Sequence, residues 1–214
     1  MAQNGAIASR SETMNRAYIL RTIRVLALLP VTIFASGVML AQTVPPSPPQ
    51  VEIRGTQLLH LTSAIVGQEY DLYVNLPRGY EDTIKRFPVI FVLDGQWDFS
   101  LAQALYGEQH FDGFVPAAIV IGITWGGVNP NHDSLRARDF TPTNSKQLPQ
   151  SGGAPKCLKF IKDELIPCID SKFRTTENGR TLIGSSFGGL FTLYAMFHET
   201  GTFDRYVLTS PSMQ

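Results

Sequence analysis

Residues 180–199, RTLIGSSFGGLFTLYAMFHE, constrain this chain more than any other segment, because they suit a buried strand, a tight turn and an amphipathic helix in succession. Thr181, Leu182 and Ile183 form the apolar, β-branched run expected of a parallel strand covered on both faces. Leu190, Leu193, Tyr194 and Phe197 then recur at helical spacing, and Gly201 stands where a helix would stop. The intervening Gly184-Ser185-Ser186-Phe187-Gly188 is a G-x-S-x-G match in the strand-to-helix setting that gives the pattern chemical meaning. A side chain two positions before or after such a serine would collide with neighbouring backbone, hence the glycines. Ser186 is the candidate nucleophile. Ser185 fails on register, since its flanking positions are Ile183 and Phe187. The competing reading is a glycine-rich turn that only packs a helix on a strand.

With 214 residues, 43% of them hydrophobic and 17% charged, the chain has room for one domain with a sizeable core. Lys+Arg and Asp+Glu are both 18, so net charge supplies no attraction for nucleic acid or an anionic membrane. The N-terminus differs in kind: Arg10, Arg16, Arg21 and Arg24 stand against Glu12, and Val25 to Leu40 is then mostly apolar. This order predicts a secretory signal over 1–41, cut after Ala41 or earlier after Gly37, and an exported, periplasmic or secreted protein without stable membrane insertion after cleavage. A retained anchor is the alternative, and no cysteine follows the run to take a lipid. Residues 42–56, with VPPSPPQ at 44–50, read as an extended linker. Cys157 and Cys168 fall in one predicted helix, about 16 Å apart at 1.5 Å rise per residue, beyond disulfide reach. Buried thiols are expected.

The remaining pattern predicts two antiparallel strands over 57–76 with Gly67 near their turn, a buried strand over 87–93, a helix over 97–106 and a second buried strand over 117–123. A polar excursion over 124–154 shows no convincing period and reads as a functional rim or a plain insertion. A helix over 156–173, a strand over 180–184, a helix over 187–199 and a strand over 205–209 follow. The result is an α/β, doubly wound, mostly parallel sheet with an N-terminal antiparallel hairpin, in a domain over 57–214. A ligand site would lie beyond the carboxyl ends of the strands, where Asp94-Gly95, Thr124-Trp125, Ser186 and Ser210 fall.

The blocks LYVNLPRGY (72–80), PVIFVLDGQ (88–96), RARDFTPT (136–143), GGAPKCLKFIKDELIPCID (152–170), RTLIGSSFGGLFTLYAMF (180–197) and FDRYVLTSPSMQ (203–214) resemble the putative-esterase branch of the α/β-hydrolases. That branch includes siderophore esterases of the enterobactin and salmochelin type, S-formylglutathione hydrolase and mycolyl transferases. The resemblance implies a serine hydrolase of carboxylic esters, with siderophores and thioesters among its substrate classes, acting through an acyl-serine intermediate on Ser186. It further implies an oxyanion hole from the backbone N–H groups of Phe187 and Gln96. Trp97 and Arg138 are candidate substrate-binding residues, an ion pair of Arg138 with Asp139 being the competing reading of the latter. The expected partner is a small-molecule ester, with no cofactor, metal or nucleic acid implied.

In that fold an acid and a histidine follow the serine in the chain. The histidine that does follow, His198, is twelve residues on, about 18 Å along a helix axis, out of hydrogen-bond reach. His60, His110 and His132 precede the serine. The expectation is therefore a hydrolase truncated at its C-terminus, lacking the last strands together with the acid and base. An acyl transferase on the same fold and a non-catalytic family member are the competing readings.

Overall fold

The structure, a computed structural model, describes residues 52–213. The expected signal and the proline-rich stretch lie outside these residues. Two strands, β1 (Thr56–Ser63) and β2 (Gln68–Asn75), pair antiparallel around Gly67, with Thr56 opposite Asn75 and Ser63 opposite Gln68. Then come β3 (Val89–Val92), helix α1 (Gly95–Phe111), β4 (Ile119–Trp125), α2 (His132–Phe140) and α3 (Ala154–Phe160). A π turn (Ile161–Leu165) leads into α4 (Ile166–Lys172), followed by β5 (Thr181–Ser185), α5 (Phe187–His198) and β6 (Arg205–Thr209). The six strands lie in the order β1-β2-β4-β3-β5-β6, with β2 antiparallel to β4 and the last four mutually parallel.

The strand pattern dictates the layers. Every residue of β3 and β4 is buried, as parallel strands covered on both faces require. Successive side chains take opposite faces. Phe91, Ile119, Ile121 and Leu182 join Phe160, Ile161, Leu165 and Phe191 in the larger core, while Ile90, Val92 and Val120 meet Phe99 of α1 on the other side. Strand β6 is an edge of the sheet, with Val207 46% exposed. Among the described residues no helix is long and apolar enough to cross a membrane.

Three elements depart from the pattern reading. Helix α1 starts two residues early because Gly95 lets its first turn press on β4: a Cβ there would lie 2.8 Å from the backbone of Gly122. The excursion over 124–154 holds a helix, α2, whose N-cap Asn131 side chain accepts from the Ser134 N–H. Its period was hidden because the helix is fixed by a carboxylate rather than by an apolar stripe. Asp139, 1% exposed, accepts from Tyr70 Oη and Trp125 Nε1, both at 2.7 Å, and from Arg138 Nε and Nη2 at 2.7 and 3.0 Å. Asp139→Ala would leave four donor groups on three side chains without their acceptor, and the expected loss is about 3–5 kcal/mol in urea unfolding.

The third departure lies in the helix around Pro167. Proline lacks an N–H and clashes with the carbonyl four residues back, and the π turn before it absorbs the mismatch. That turn changes the rotation of all that follows. Cys157 is buried, its thiol pushed up first by burial and then by Asp139, but Cys168 is only half-buried. The expectation of two buried thiols holds for Cys157 alone; both are free.

Candidate active site

The turn between β5 and α5 places Ser186 at φ 56 and ψ −117, a backbone region that non-glycine residues rarely occupy. Close packing around it explains the glycines. A Cβ on Gly184 would fall on the Gly188 carbonyl and 2.6 Å from Thr192 Oγ1; one on Gly189 would lie 2.8 Å from the Thr209 oxygen. The strained serine is held on both sides. Its N–H donates to the Thr209 carbonyl and its own carbonyl accepts from the Ser212 N–H, each at 3.1 Å. Its Oγ lies 3.1 Å from Ser212 Oγ. No local sequence pattern points to Ser212; Ser210 in the same segment, expected on the rim, has φ 43.

Gln96 and Phe187, the expected oxyanion residues, both occupy the first turns of helices, α1 and α5. N–H groups at those positions have no intrahelical acceptor and sit at the positive end of the helix dipole. Neither N–H has a protein acceptor among the described residues. The Gln96 side chain turns towards the end of β4, where its Oε1 accepts from Thr124 Oγ1 at 2.6 Å. Trp97, 53% exposed, stands beside it on the rim. A hydroxyl at a helix start, beside a free backbone N–H, suits chemistry in which negative charge develops on a bound oxygen.

The rim guanidinium is Arg136. Arg138 is committed to Asp139, whereas Arg136 donates from Nε to Asp94 Oδ1 at 2.6 Å and from Nη2 to Oδ2 at 3.0 Å. Its Cζ lies 5.2 Å from the Trp97 ring centroid and 5.6 Å from that of Phe187. Arg138, the arginine expected at the rim, turns to Asp139, and two residues of helical rotation bring Arg136 to Asp94 instead. Asp94, 1% exposed, has its carboxyl pushed up by burial, an effect the Arg136 hydrogen bonds and charge oppose without cancelling and Asp98 reinforces. Folding therefore favours protonated Asp94, and its contribution to stability falls as pH rises from 3.8 through the higher folded value. Asp94→Asn should accordingly gain stability on the wild type across that rise, as read from urea midpoints at successive pH values.

None of the histidines is hydrogen-bonded to Ser186. His60 Nδ1 shares a 2.7 Å bond with Asp71, His110 meets the Val115 carbonyl, and His198 stacks on Tyr194. His132 opens α2, and its ring stands 6.1 Å from those of both Trp97 and Trp125.

The strand order, helices on both faces and sharp β5–α5 turn at the carboxyl edge define an α/β-hydrolase. Within that class the chain belongs to the esterase family described as "Putative esterase", whose model matches residues 63–214. It is 29% identical over 174 residues to the ferri-bacillibactin esterase BesA of Bacillus subtilis, covering 75% of this chain and 60% of the relative. It is also 29% identical over 153 residues to a siderophore triacetylfusarinine C esterase of Aspergillus fumigatus, covering 69% of this chain and 52% of the relative. Among solved structures, a BES protein from Bacillus cereus superposes with a TM-score of 0.68 at 30% identity, over 77% of this chain and 64% of that one. Siderophore hydrolase EstB of Aspergillus nidulans gives 0.67 at 28%, over 77% and 59%. The chain thus spans between half and two-thirds of the length of these four proteins.

Proposed function

We propose that the protein hydrolyses carboxylic esters through an acyl-serine intermediate on Ser186, with siderophore-type esters as the favoured substrate class. The observation that carries the reading is the strained, half-buried Ser186 at a strand-to-helix turn that only glycine at 184 permits. In the first step Ser186 Oγ forms a bond to the acyl carbon, its proton passes to a base, and the carbonyl oxygen takes up the negative charge. The N–H groups of Phe187 and Gln96 meet that oxygen, each donor being worth about 3–4 kcal/mol in such sites. The alkoxide then leaves with a proton, and water cleaves the acyl-serine in the second step. No histidine is bonded to Ser186 among the described residues, so in this mechanism the base and its acid come from outside residues 52–213. The siderophore preference rests on the names of the relatives and on the aromatic rings of Trp97 and Phe187 that flank the Arg136 guanidinium.

A fluorophosphonate probe applied to the full gene product tests the nucleophile. Mass spectrometry should find one phosphonylated residue, Ser186. Labelling elsewhere, or none under conditions where esters turn over, counts against the reading.

A further inference from the structure

Asp94 immediately precedes α1 in the left-handed region, at φ 54 and ψ 44, where an aspartate would ordinarily cap the helix with its side chain. It makes no such bond. Both carboxylate oxygens are instead taken by the Arg136 fork, and Oδ2 lies 3.2 Å from where a Cβ on Gly188 would stand. The ion pair therefore fills the space between the start of α1 and the start of α5. The guanidinium also lies over Trp97, next to Gln96, and over Phe187 itself. Its carrier helix is fixed three residues further on by the buried Asp139. One planar, five-donor group thus touches both helix starts that present the unpartnered N–H groups, while its own position is set from a third helix.

We propose that Arg136 is a positioning residue: through its paired bonds to Asp94 and its contact with Phe187 it fixes the separation of the Gln96 and Phe187 N–H groups. The positioning rests on geometry alone; its catalytic consequence rests on the esterase reading above. A donor displaced by about 1 Å loses on the order of 100-fold in rate, so the gap between the two donors is where a rigid brace has the largest effect. A lysine at 136 offers a point charge on a flexible stem and cannot hold both oxygens of Asp94 in one plane.

The test uses the full gene product. Arg136→Gln alone leaves Asp94 buried without its cation and can unfold the chain, so the decisive variant is Arg136→Gln with Asp94→Asn, which removes both charges together. Two readouts are taken on it and on Arg136→Lys. Amide resonances of Gln96 and Phe187 should shift or broaden while those of β1 and β2 stay in place. On a chromogenic ester, kcat should fall about 100-fold with KM within about threefold, the split expected when donors to the transition state are misplaced. Unmoved Gln96 and Phe187 amides overturn the proposal, as does wild-type kcat in either variant or a loss that falls on KM. A wild-type protein that turns over no ester overturns the functional reading instead, and the amide resonances then decide the positioning by themselves.

Discussion

Ser186→Ala is expected to lower ester turnover by the full gene product about a million-fold, leaving only what oxyanion donors and binding supply. The size follows from the mechanism: without Oγ no acyl-enzyme forms, and water must attack the ester directly. The fold should survive. Alanine keeps the Cβ, both backbone bonds to Thr209 and Ser212 remain, and the single hydroxyl bond to Ser212 is worth about 1 kcal/mol. Turnover of a chromogenic ester, followed beside the thermal midpoint, separates lost chemistry from lost structure. Ser185→Ala, one register position away on β5, is the control and should stay close to wild type. Turnover that persists in Ser186→Ala would remove Ser186 from the mechanism.

The second large effect is Gly184→Ala. The added methyl would sit on the Gly188 carbonyl and against Thr192 Oγ1, inside the first turns of α5, so the helix must move away from β5 to admit it. Backbone cannot yield as a flexible side chain can, and the expected loss is about 3 kcal/mol. For a domain of this size that lowers the thermal midpoint by roughly 6–12 °C. Turnover should fall as well, because α5 carries the Phe187 N–H. Gly67→Ala is the informative comparison: Gly67 has φ 75 but nothing within 4 Å of a Cβ, so its loss should stay near 1 kcal/mol. Calorimetry on both variants distinguishes a steric requirement from a conformational one. Equal losses would show that the crowding at 184 relaxes freely.

Much of this architecture was legible in the chain because its main strands are apolar on both faces. Residues 87–93 and 117–123 could be nothing but buried strands, and β6 lies over the residues expected of it, 205–209. The hairpin announced itself through alternation around Gly67, and its β1 and β2 differ from the expected span only at the ends. Helix α2 was not legible, since the hydrogen bonds that hold it converge on Asp139 and a hydrophobic period cannot register them. The same blindness separated Arg138 from Arg136. Both are arginines in one short segment, and which of them faces Asp94 depends on a helical phase that the sequence pattern did not reveal. Ser212 was hidden for another reason: it reaches Ser186 through the course of the chain after β6, and no local spacing encodes a contact between residues so far apart.

The two backbone bonds that hold Ser186 also fix when its geometry can exist during synthesis. Both partners, Thr209 and Ser212, leave the ribosome after β5 and the whole of α5. At ordinary elongation rates the residues between Ser186 and Ser212 take roughly 1–5 s to add. Throughout that interval the serine has emerged but its strained conformation is unsupported. The strained conformation at this position is therefore a late property of the nascent chain, acquired only when β6 docks beside β5.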